Sequence, residues 1–154
     1  MKIIKYIGML VFILSLLIMS SCGQQETSQK ILQTTTNSFK AEVNGKSYKA
    51  IHVSGFISPV SKTLLLTGAM GTGEDIQLFL PKDITAGTYD FSTIQGKYQE
   101  NEEKSGFAVR GNVIIIAHDT TNTSIKGSFY FTTKPLLEGH PSFDITEGNF
   151  DITY

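Results

Sequence analysis

The chain changes texture twice. Ile7–Met19 is an unbroken apolar run, Gly23–Asn37 is polar and lacks any aromatic residue, and from Ser38 to Tyr154 apolar positions alternate with polar ones. Phe39, Ala41 and Val43 alternate with Lys40 and Glu42, the period-two pattern of a half-buried strand. Asn44-Gly45 follows, a hairpin signal because both residues tolerate positive φ, and Lys46–Ser54 reads as the return strand. Lys62–Met70 and Asp75–Leu80 predict a second pair joined by Gly71–Glu74 and closed by Pro81. Tyr89–Ser92 and Ile94–Tyr98 predict two short strands before the charged loop Gln99–Ser105.

The strongest strand signal is Phe107–His118. It contains Val113-Ile-Ile-Ile116, an apolar run that predicts a central strand covered on both faces, and Arg110-Gly-Asn112 interrupts its alternation as a candidate bulge. After a turn at Asp119–Asn122, Ile125, Gly127, Phe129 and Phe131 share one face opposite Lys126, Ser128, Tyr130 and Thr132. Past the loop Pro135–Pro141, Phe143–Thr146 and Asn149–Tyr154 predict a closing hairpin around Glu147-Gly148. No helical period persists after Cys22. The pattern therefore predicts an all-β fold: an antiparallel β-sandwich or flattened barrel of about eight to ten strands, after a cleaved N-terminal signal helix.

The apolar run at the start is a processing signal. Lys2 and Lys5 precede it and small residues follow, which is secretory grammar. Its 13 residues span ~20 Å as a helix, too short for the roughly 20 residues of a bilayer-crossing helix. Met19-Ser20-Ser21-Cys22 resembles the lipobox of bacterial lipoproteins. That resemblance implies a diacylglycerol on the Cys22 thiol, cleavage just before it and acylation (palmitate-type) of the new amine. Met19 departs from the usual leucine. The predicted division is thus residues 1–21 as lipoprotein signal peptide, 22–37 as lipidated Cys and flexible tether, and 38–154 as a single β-domain. As a coil the tether reaches about 20 Å.

Composition narrows the function classes. Removing residues 1–21 removes two lysines and takes the formal charge from −1 to about −3, which argues against nucleic acid as a partner. Cys22 is the only cysteine, so once lipidated it leaves no thiol for a disulfide, a nucleophile or a metal.

Phe39–Lys46, Gly87–Tyr89, Ile125–Phe131 and Ile145–Tyr154 resemble segments that recur in uncharacterised small all-β lipoproteins of Bacteroidetes, which carry a lipobox signal peptide and a domain of unknown function. The resemblance implies an envelope β-domain and carries no catalytic residue. It places the protein in the cell envelope, lipid-anchored, in the outer membrane rather than the inner, with its periplasmic or surface face open. The only acidic residue near Cys22 is Glu26, which fits poorly with the acidic surface-export cluster of some such lipoproteins.

Candidate chemistry is sparse. His52, His118 and His140 form no HxH or HExxH spacing, and His118-Asp119 reads as a polar strand end entering a turn. Gly68–Gly73 lacks phosphate-loop spacing and precedes a strand, so it reads as a hairpin loop. Glu100, Glu102 and Glu103 lack the alternating ligands and glycine of a calcium loop, and no GxSxG elbow is present. No catalytic residue, cofactor or metal is assigned, and no enzyme activity is expected. Asp119-Thr120-Thr121 resembles the short motif on which Bacteroidetes O-glycosylate exported proteins, which implies Thr120 as a possible acceptor beside its plainer reading as a turn.

The expected function is a binding or interaction module, monomeric, held to the membrane by its lipid and contacting an envelope protein or glycan through loops at one end of the sheets. The alternative is a lipocalin-like carrier of a small apolar ligand, which needs an interior its own side chains do not fill. Phe129, Phe131, Phe143 and Phe150 all point inward by pattern, against the carrier. Two or three acyl chains hold a protein stably where one does not, at ~0.8 kcal/mol per buried methylene. Cys22→Ala is expected to leave an unprocessed precursor that takes up no labelled palmitate; a cleaved, labelled variant would contradict the lipoprotein reading.

Overall fold

The computed structural model describes residues 37–154; the signal segment, Cys22 and the tether to Thr36 lie outside the described residues. Ten strands form one antiparallel sheet: β1 (Ser38–Val43), β2 (Lys46–Lys49), β3 (His52–Ile57), β4 (Thr63–Ala69), β5 (Asp75–Pro81), β6 (Gly87–Asp90), β7 (Gln95–Gln99), β8 (Ser105–Asp119), β9 (Ser124–Pro135) and β10 (Asp144–Thr153). The order is β2-β1-β10-β9-β8-β7-β5-β4-β3, with β6 beside β8. The fold is therefore all-β, as the alternation predicts.

The two ends of that order are consecutive in sequence. β2 pairs with β1 through Tyr48↔Ala41, and β3 pairs with β4 through Phe56↔Leu65. Between them the chain bends at Ala50–Ile51, where the Ala50 N–H bonds to the Phe39 carbonyl (3.0 Å) and the Ile51 N–H to the Ala69 carbonyl (3.0 Å). One bent segment thus serves both ends, and the sheet curls into a flattened, partly open barrel. Antiparallel pairing then gathers the turns at two ends. Asn44–Gly45, Gly71–Gly73 and Glu100–Lys104 lie at one; Ser58–Lys62 and Thr120–Thr123 lie at the other, with Asn37 and Tyr154. Asn37 is already tied in, its side-chain amide bonding the Thr153 carbonyl (3.0 Å) and accepting from the Thr153 N–H (2.8 Å).

Inward residues are almost wholly shielded. Leu64, Leu66, Ile76, Leu78, Leu80, Val113 and Ile145 are each 0% exposed, and Phe39, Phe129, Phe131, Phe143 and Phe150 are 1–3%. Four of the core rings lie against glycines where a Cβ has no room. A methyl on Gly68 would meet Phe39 Cδ1 at 2.5 Å, on Gly96 Phe91 Cε1 at 2.6 Å, on Gly127 Phe150 Cζ at 2.5 Å and on Gly148 Phe129 Cδ2 at 2.6 Å. Phe39, Phe129 and Phe150 also touch one another, with centroids 5.1–6.4 Å apart, within the favourable range for aromatic pairs. The interior is filled by this interlocking of rings and glycines.

Three expectations are corrected. Val113–Ile116 is covered on one face only: Val113 and Ile115 are buried, whereas Ile114 is 39% and Ile116 57% exposed. The bulge in β8 falls at Val109, just before Arg110-Gly-Asn112, and a second falls at Ile116, each an extra residue against β9. The chain end is a single strand, not a hairpin. β10 runs through Glu147-Gly148 and carries one extra residue there against both β1 and β9. Glu147 adopts φ 51°, which kinks the strand without reversing it, and Gly148 leaves space for the Phe129 ring. A turn pair flanked by alternation serves equally well as a bulge.

Phe150 is 2% exposed and bears on Phe39 and Phe129. Phe150→Ala is expected to cost ~3–5 kcal/mol and to lower the melting midpoint by at least ~10 °C. A shift of a degree or two in calorimetry would show that the chain end is peripheral to the core.

Candidate functional site

Because alternation sends neighbours to opposite faces, three consecutive apolar residues in a strand force the middle one outward. Two such triplets, Leu64-Leu65-Leu66 and Leu78-Phe79-Leu80, lie on neighbouring strands, and their flanking residues are 0% exposed. Leu65 pairs with Phe79 on one side and with Phe56 on the other, and Phe79 pairs with Gln95. Phe56, Leu65, Phe79 and Gln95 therefore form one cross-strand row on the outer face. Phe56 is 59% exposed, and Phe107, on β8 opposite Lys97, is 41% exposed.

This row floors a groove of about 930 Å³, at the upper end of the size of small-ligand sites. Its rim is hydroxyl-rich, with Ser58, Ser61, Thr63, Ser92 and Thr93, while Gln95 ends the row with an amide, and Lys62 is the one ionisable side chain that lines the groove. Two rim segments are held by their own turns. The Ser61 N–H bonds to Ser58 Oγ (3.2 Å), and Thr93 Oγ1 bonds to the Asp90 carbonyl (2.8 Å) while the Ser92 N–H bonds to Asp90 Oδ1 (2.7 Å). Those bonds from Ser92 hold the Asp90 carboxyl below the usual carboxylate range.

A second polar cluster lies near the Asn44 end. Tyr98 donates to Glu74 Oε1 (2.7 Å) and Tyr48 donates to the Gly68 carbonyl. Burial, with Glu74 nearby, pushes both phenols well above their ordinary value. Burial also raises Asp75, against a smaller opposing pull from Lys97, and Asp75 Oδ1 is buried without a hydrogen bond. The phenols stay protonated near neutral pH and act here as donors that tie the ends of β2 and β7 to the β4–β5 hairpin.

The residues singled out in the sequence are scattered by the fold. His118 is a structural pin: Nδ1 meets the Ile84 carbonyl (2.7 Å) and so carries a proton, while Nε2 meets the Tyr154 hydroxyl (2.7 Å). Among the described residues no group of three His, Cys, Asp or Glu side chains is placed to hold a metal. Gly68–Gly73 belongs to the β4–β5 hairpin, as its spacing suggests, and Glu100 pairs with Lys104 at 3.3 Å. Thr120 is exposed at the head of the β8–β9 turn, where Asp119 Oδ1 accepts from the N–H groups of Thr121 (2.9 Å) and Asn122 (3.0 Å). Cys22 lies outside the described residues. The outer groove was not read from the sequence, although the two apolar triplets are its signal.

The curled antiparallel sheet, its packed interior and its outward groove define a small all-β domain with one candidate binding surface. The chain belongs to the family described as "Domain of unknown function (DUF6252)", which it matches over residues 35–151. No curated protein and no solved structure matches the chain.

The turn carries a titration test. Bonds from the Asn122 backbone, its side chain and the Thr121 backbone hold the Asp119 carboxyl below its ordinary range. A depressed folded pKa means that the stability it contributes is present above the unfolded value and is lost as pH falls through the folded one. The Asp119 carboxyl ¹³C signal is expected to titrate below ~3.9 and to return toward that value in Asn122→Ala. A midpoint at or above the ordinary value would contradict the turn geometry.

Proposed function

We propose that the protein is a lipid-anchored binding module of the cell envelope, tethered through Cys22 and contacting its ligand through the groove floored by Phe56, Leu65, Phe79 and Phe107. The observation that carries this reading is the pairing of a filled interior with exposed aromatics on the outer face. Solvent-exposed apolar surface gathered in one concavity is a mark of an interaction site, and the inward residues at 0–8% exposure leave a lipocalin-like carrier less supported. The lipobox resemblance supports an outer-membrane location, and the domain is read as a monomer that binds an envelope protein or glycan without catalysing a reaction. The groove lies on a sheet face and is rimmed by the Ser58–Lys62 turn, so the proposed contact surface runs from the loops at that end onto the sheet. Thr120, exposed and without a protein hydrogen bond among the described residues, is proposed as an O-glycosylation acceptor, a matter for intact-mass measurement beside Thr120→Ala.

The test is the double substitution Phe56→Ser with Phe107→Ser, made in the full chain in its host. The side chains are 59% and 41% exposed and belong to the outer face, not the core, so the melting midpoint is expected to stay within a few degrees of the parent and palmitate labelling to persist. Recovery of the envelope ligand in affinity capture is expected to fall at least ~10-fold, as for loss of interface anchors worth more than ~1 kcal/mol each. Unchanged recovery would contradict the groove as the binding surface.

A further inference from the structure

The chemistry of the groove points to the class of molecule it takes. Its floor strands β4, β5 and β7 each have a neighbour on both sides, so their backbone N–H and C=O groups are already spent in the sheet. What the groove offers is ring faces and side-chain hydroxyls and amides. The row Phe56–Leu65–Phe79–Gln95 crosses four strands, a run of about 14 Å at ~4.8 Å per strand. An extended peptide laid across this row would bring one N–H and one C=O per residue onto an apolar floor with no backbone partners, a costly arrangement.

A pyranose chain makes the opposite demand. Its ring faces carry C–H groups with partial positive charge, which match the negative faces of phenyl rings, and its hydroxyls project sideways. The groove is lined by Ser61, Ser92 and Gln95; the Ser61 hydroxyl and the Gln95 amide make no hydrogen bond to another described residue and are free to exchange water for a ligand, whereas the Ser92 hydroxyl is engaged by the Asp90 carboxyl. Charge narrows the class further. No carboxylate lines the groove and Lys62 is its single ionisable group, so nothing there is built to neutralise a polyanion.

We propose that the outer groove binds a neutral oligosaccharide, stacked on Phe56, Phe79 and Phe107 and hydrogen-bonded by Ser61 and Gln95. This rests on the reading of the groove as the binding surface, so the test separates the two. The full-length protein, with its phenylalanines fluorinated and their ¹⁹F signals assigned by substitution, is titrated with three probes. They are a panel of neutral hexasaccharides differing in linkage and epimer, a hexamer of galacturonic acid, and an uncharged apolar decapeptide. The expected result is saturable shifts of the Phe56, Phe79 and Phe107 signals with at least one neutral hexasaccharide. Inward Phe129 and Phe150 should not move, and Phe56→Ala or Gln95→Ala should weaken binding at least tenfold. Equal or tighter binding of the acidic hexamer overturns the neutral class. Shifts with the peptide alone overturn the oligosaccharide while leaving the groove as a binding surface, and no shift with any probe overturns the proposal.

Discussion

Everything in this fold depends on how the chain turns at Ala50–Ile51. There the N–H of Ala50 reaches back to Phe39 on β1 and that of Ile51 reaches across to Ala69 at the end of β4. The same strand thereby begins on one end of the sheet and finishes on the other. The two bonds are ordinary in strength, ~0.5–1.5 kcal/mol net each, but their geometric effect is large. They force the inner faces of the two ends together, and Phe39, one turn of chain earlier, fills the space over Gly68. The Tyr48 hydroxyl locks the same place by bonding the Gly68 carbonyl.

Once the sheet is curled that tightly, several of its core rings fit because a neighbouring or facing strand presents a glycine. Gly68, Gly127 and Gly148 supply that room on three different strands, each against one of the stacked rings Phe39, Phe150 and Phe129. A core filled in this way is close-packed and leaves little space for a guest. The proposed recognition surface is accordingly on the outside, where β3, β4 and β5 carry Phe56, Leu65 and Phe79 on their outer face. From β8 it is Phe107 that lines the groove.

Much of the architecture was legible in the residues. Strand period, the Asn44-Gly45 hairpin and the inward set Phe129, Phe131, Phe143 and Phe150 follow from alternation alone, because a slip of one residue would place all of them in water. The corrected features share a cause: bulges and bends change facing without changing composition. Glu147-Gly148 carries the residues of a turn, and only the presence of β1 and β9 on its two sides makes it a kink in a continuous strand. Ile114 and Ile116 read as buried because β-branched runs suit central strands, yet a curled sheet with one inner face leaves their side of β8 in solvent. The groove was illegible for a related reason. Its members come from β3, β4, β5, β7 and β8, and their convergence depends on registers that no local pattern encodes. His118 illustrates the opposite outcome, since its partners Ile84 and Tyr154 are remote in sequence and give it a structural task.

The central claim is that apolar space in this domain lies outside the sheet and not within it. Xenon is the direct probe, since it occupies apolar voids without demanding hydrogen bonds. Leucine methyl NMR of the protein under xenon pressure should show shifts at outward Leu65, on the groove floor. Inward Leu64, Leu66, Leu78 and Leu80 should stay unmoved. Saturable shifts at the inward leucines would reveal a hollow core, contradict the filled interior and return the carrier to first place.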